Sequence, residues 1–181
     1  MIPIHIQKGS FFNEETNEFI DIEPRVLHME HSLYTISKWE EKWHKPYLSN
    51  LPSFKKTEEE ALDYMRCMCL EDDEEEINPL IFNCMSKTEY DKLIQYVQDP
   101  HTATTVTKKD DKPPSRDIMT AEVIYYNMFS AQIPKECEHW HINKLLKLLE
   151  VFAAKQEKPK KMPKAAMVNH RRAVSKARGY H

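Results

Sequence analysis

Glycine is almost missing from this chain, with two residues in 181. That scarcity excludes the phosphate-cradling loops of P-loop and dinucleotide-binding proteins, which need glycine where backbone approaches a phosphate. It also disfavours folds that depend on many tight turns. No apolar run approaches the roughly 20 residues of a membrane span. Neither HExxH nor GxSxG occurs, so the zinc-protease and nucleophile-elbow signatures are absent. The four cysteines, Cys67, Cys69, Cys84 and Cys137, lie in apolar or helical segments without a paired CxxC spacing, and are expected to be reduced and buried. The opening "MIPIHIQKGS" has no basic stretch followed by a long apolar run, so no secretory signal is read and a cytoplasmic location is expected.

What is present fits one domain with extensions. Hydrophobic residues make up 40% and charged residues 30% of the chain, and the mean hydropathy of -0.70 points to a very polar surface or polar tails. The net charge of -3 conceals an asymmetry. Lys155 to His181 holds nine Lys and Arg against one acid, Glu157, and the residues before it hold 17 basic and 28 acidic side chains. An acidic body with a basic tail suggests copies joined tail to body, or a tail that finds another acidic partner.

Along the chain, "IPIHIQ" and "FFNEETNEFIDIE" alternate apolar and polar residues around an Asn/Glu/Thr turn and predict a hairpin. Pro24 interrupts, and "RVLHMEHSLYTI" continues with mixed strand character. Ser37 and Glu40 match a capping box and predict a short helix stopped by Pro46, with Trp39 and Trp43 on one face. Thr57 with Glu60 and Ser86 with Glu89 predict two further helices. The run "EDDEEE" between them reads as a solvated loop. Asp99-Pro100 ends the second of these helices, "HTATTVT" reads as a strand or connector, and "KKDDKPPS" as a linker. Ser115 is then the expected N-cap of "RDIMTAEVIYYNMFSAQI", which is apolar on more than one face and is expected at the centre of the core. Pro134 fits the first turn of the next helix, whose stripe is Trp140, Ile142, Leu145, Leu146, Leu149 and Phe152.

Cys137 and His141 are spaced as neighbours on that last helix, yet two ligands do not make a structural zinc site and no knuckle completes them. No Cys/His nucleophile signature accompanies any of the nine histidines. No catalytic residue, metal or cofactor is therefore assigned. The tail cations Lys160, Lys161, Arg171 and Arg172 supply the alternative of a nucleic-acid-binding or virion structural protein, such as a head-tail connection component. Repulsion from the acidic body counts against nucleic acid.

"SKWEEKWHKPYL", "ALDYMRCM", "SRDIMTAEVIYYNMFSAQIPKECEHWHINKLLKLLEVF" and "PKKMPK" leading into an Arg/Ala-rich end resemble the tail assembly chaperones of long-tailed, siphovirus-like bacteriophages. The likeness runs from about Leu33 to the carboxyl terminus, and its most specific piece joins Tyr125-Tyr126, Ile133-Pro134 and the Trp140 to Leu146 segment. It implies a non-catalytic protein of the host cell cytoplasm, absent from the mature virion. Such a protein coats the tape measure protein as a homo-oligomer on its client and helps recruit tail tube subunits.

The expectation is thus a mainly α protein: a small N-terminal β-hairpin or extended segment over 1–32, a single helical core domain over 33–156, and a flexible basic tail over 157–181. The candidate partner-binding residues are Trp39, Trp43, Trp140, Leu145, Leu149, Phe152, Lys160, Lys161, Arg171 and Arg172, with core packing the preferred reading for the two tryptophans of the first helix and for the Trp140 to Phe152 stripe.

Overall fold

A computed structural model describes residues 1–13, 17–49, 51–70, 77–105, 118–156 and 174–175. The acidic run, Ser115 and the four candidate tail cations lie outside the described residues. What is described is mainly helical, with five α-helices and two small antiparallel sheets.

The sheets belong to one long hairpin. Strands β1 (Ile2–Ile6) and β4 (Arg25–Met29) pair with Ile4 opposite Leu27, and β2 (Gly9–Asn13) pairs with β3 (Glu18–Ile22). The register is continuous, since three steps from Ile6 to Gly9 match three steps back from Arg25 to Ile22. The ladder breaks between them because Pro24 has no N–H to give, while Gln7 turns its own N–H to the carbonyl of Cys84 at 3.1 Å. The hairpin therefore extends past Pro24, where only mixed strand character was expected. Ile2, Ile4 and Ile6 alternate with exposed Pro3 and His5, and Leu27 and Met29 supply the facing apolar set.

Helix α1 (Leu33–Trp43) starts earlier than the Ser37–Glu40 pattern predicts. Ser32 and Thr35 form the reciprocal box, and the Glu40 carboxylate is used elsewhere. His44, left-handed at φ 51°, closes the helix by giving its N–H to the Glu40 carbonyl at 2.8 Å. Helix α2 (Glu58–Met68) begins at the expected Thr57–Glu60 box, with both reciprocal bonds present. Helix α3 (Lys87–Gln98) begins at Ser86 as expected, but Glu89 reaches across to the N–H of His5 at 2.9 Å and ties the helix to β1.

Helix α4 (Ala121–Ser130) is capped by Thr120. The segment after Pro134 is divided: Lys135–His139 is a 3-10 turn, and α5 (Ile142–Gln156) follows. Cys137 and His141 thus do not share a helix. A single apolar cluster joins the hairpin and all five helices, with Ile4, Leu27, Met29, Leu33, Ile36, Trp39, Met68, Ile124, Met128, Ile142 and Leu145 fully enclosed. The hairpin is therefore part of the same core as the helices. No helix among the described residues is long and apolar enough to cross a membrane.

Candidate interaction surface

One carboxylate organises this face. Glu40, buried on α1, accepts the N–H of Ala121 at 2.7 Å and that of Tyr47 at 2.6 Å. The first bond holds the N-terminus of α4 against α1, where the helix dipole favours negative charge. Burial pushes the Glu40 carboxyl above its ordinary range, and the two backbone N–H groups act against that shift.

Held in this way, α4 turns Ala121, Ile124 and Met128 inward. Val123, Tyr126 and Phe129 face out, Tyr126 being 72% and Phe129 56% exposed. At 100° per residue these three cover an arc of about 120°. Ile118 and Met119, just ahead of the helix, are exposed as well. The expectation of a helix central in the core is corrected: α4 has one buried face and an exposed outer face, where Glu122 and Ser130 stand among the apolar row of Val123, Tyr126 and Phe129.

Beside it, a groove of about 450 Å³ runs between α1, α4 and the 3-10 turn, lined chiefly by Tyr34, Lys38, Glu41, Tyr125, Phe129 and Glu138. The Tyr125 hydroxyl donates to Glu138 Oε2 at 2.8 Å, and the Tyr125 and Phe129 rings stack at 6.1 Å. Burial first, and then the Glu138 carboxylate, hold the Tyr125 phenol above its usual range, so this hydroxyl remains a donor at neutral pH. Lys38 Nζ sits 4.6 Å over the Tyr34 ring. Its lining combines aromatic walls with side chains of both charges, a composition that suits a peptide or helix contact.

The residues singled out from sequence are dispersed. Trp39 is fully buried, its indole N–H donating to the Glu60 carbonyl at 2.8 Å, so as a contact residue it is corrected to core. Leu145, also fully buried, is corrected in the same way, because it closes α5 onto the core. Trp43 is half-buried and donates to Asp63 Oδ2 at 2.8 Å, while Leu149 and Phe152 are half-buried on α5. Trp140 is 38% exposed, with Lys144 Nζ 4.1 Å over its ring. Sequence reasoning missed Tyr34, Val123, Tyr125, Tyr126 and Phe129. The available signal was the surplus of apolar residues around "TAEVIYYNMF", more than one buried face uses.

Among the described residues, no group of three or more His, Cys, Asp or Glu side chains is placed to hold a metal ion. Comparison with protein-family models, curated proteins and solved structures gave no match.

Proposed function

We propose that this protein is a tail assembly chaperone of a long-tailed bacteriophage, and that the outer face of α4 receives an amphipathic helix of the tape measure protein. The observation that supports this reading is the open row of Val123, Tyr126 and Phe129. The stretch that supplies it, "TAEVIYYNMF", also contains Tyr125-Tyr126, the first part of the most specific piece of the sequence resemblance. A helix with one apolar face gains by covering such a row, and the groove beside it offers charges of both signs to fix its register.

In this role the chain acts without catalysis in the host cytoplasm, many copies coat one client, and the coated client recruits tail tube subunits. Residues 1–156 act as one unit. The segment beginning at residue 157, with Lys160, Lys161, Arg171 and Arg172, contacts the acidic body of the next copy.

The test is co-expression with the tape measure protein, followed by sedimentation and composition analysis of the soluble fraction. The tape measure protein should remain soluble and carry many copies of this chain. A precipitated client with this chain alone in solution would reject the reading. The cations of the basic segment support one competitor, nucleic-acid binding, against which the acidic body counts. That reading requires duplex affinity falling with salt at a log-log slope near -0.9 per phosphate contacted.

A further inference from the structure

Three imidazoles converge where β4, α3 and α5 meet. His31 lies just after β4, His101 follows α3, and His141 immediately precedes α5. The His141 ring is 5.2 Å from that of His31 and 4.0 Å from that of His101, with the Tyr96 ring at 5.0 Å.

His141 occupies the N-cap of α5: its carbonyl accepts the N–H of Leu145 at 3.2 Å. Its side chain is committed on both sides. Nε2 lies 3.1 Å from the Tyr96 carbonyl oxygen, which can only accept, so Nε2 carries the hydrogen. Nδ1 is then the acceptor, and it takes the N–H of Asn143, in the first turn of α5, at 3.3 Å. The neutral ring therefore caps the helix and anchors it to the end of α3. The same junction is fastened by the Ile142 N–H to the His31 carbonyl at 2.8 Å, and by the Asn143 amide to the carbonyls of Val97 and Asp99.

A proton can enter this arrangement only at Nδ1, where it converts the cap's acceptor into a donor facing another donor. It also places a positive charge at the helix N-terminus, the end that disfavours cations. The groups facing it from other elements are His31 and Glu30 after β4, Tyr96 on α3 and His101 beyond α3, with Tyr64 of α2 reached through the His31 ring. Of these, the Glu30 carboxylate and the Tyr96 carbonyl favour a charged imidazole, whereas His101 and the Met1 amino group oppose it; the carboxylate already accepts from the Tyr96 hydroxyl at 2.6 Å and pairs with that amino group.

We propose that His141 is a proton-sensitive N-cap: on protonation it releases the start of α5 from the junction with β4 and α3, while α1 and α2 stay in place. The electrostatics agree. Burial, and then the charge of His101, depress His141 to about 4, and burial followed by His141 depresses His31 to about 3. A base depressed in the closed state titrates on opening. Opening that frees His141 becomes about tenfold more favourable per pH unit as pH falls from about 6.5 towards 4.

Hydrogen exchange read by mass spectrometry between pH 7 and 4.5, corrected for intrinsic rates, tests this on the full chain. Amides of the first turns of α5 should lose protection by about tenfold per pH unit, with those of α1 and α2 unchanged. His141→Asn keeps a competent cap that does not titrate, and should flatten the dependence. Flat protection in the wild type, loss in step with α1, or an unchanged profile in H141N would overturn the proposal. An NMR titration of the wild type provides a check that needs no variant: a His141 midpoint near the ordinary 6.5 would also overturn it.

Discussion

Two aromatic regions of this molecule are treated in opposite ways. Between α1 and α2, Trp39, Trp43, Tyr47 and Tyr64 are enclosed or half-enclosed, Tyr47 stacks on Tyr64 at 3.8 Å, and both indole N–H groups have acceptors. Lys42 and Arg66 converge on Asp63 there, and Lys45 pairs with Glu60. On α4, by contrast, Tyr126 and Phe129 stand in solvent. The same residue types thus build a closed, polar-satisfied core on one side and an open apolar face on the other. Aromatic content therefore does not locate a contact surface; the decisive feature is whether a helix has more apolar faces than it has neighbours to cover them.

Substitutions can test this contrast. The largest effect is expected at Trp39→Ala, which removes a fully enclosed ring and should cost about 3–5 kcal/mol in chemical denaturation. Next come the carboxylates. Asp63→Ala removes the acceptor of the Trp43 N–H and the carboxylate shared by Lys42 and Arg66, and should cost about 1–3 kcal/mol, with no selective effect on α4. Glu40→Ala should cost a similar total of about 1–3 kcal/mol, but hydrogen exchange should show the loosening concentrated at the start of α4. If the two carboxylate variants loosen the same amides, Glu40 does not link the regions as described. The smallest effect is expected at Tyr126→Ala, within about 0.5 kcal/mol of wild type. A stability loss there comparable to that of Trp39→Ala would mean that the open face is not open.

Much of the fold was legible because local chemistry and tertiary structure agreed. Thr57–Glu60 and Ser86 start helices where the pattern places them, and the alternation of Ile2, Ile4 and Ile6 gives the buried side of the first strand. Misreadings arose where long-range partners competed with local ones. Ser37–Glu40 satisfies the capping pattern, yet Glu40 binds Tyr47 and Ala121, and the helix starts at Ser32. Pro134 does open a helical turn, but one of 3-10 type, because a second start at His141 is stitched to His31. The candidate surface was the least legible part. Periodicity shows that α4 is apolar on more than one face and cannot show which face lacks a neighbour, so Trp39 and Leu145 stood as contact candidates beside their reading as core, while the α4 segment as a whole was expected in the core.

The central claim is that the outer face of α4 holds the client, and one comparison tests it most directly. Wild type and the double variant Tyr126→Glu, Phe129→Glu would each be co-expressed with the tape measure protein, and the soluble tape measure protein measured after confirming equal thermal stability of the two chains. The account predicts a soluble, coated client with wild type and a pelleted client with the variant. Equal amounts of soluble client with both chains would contradict it.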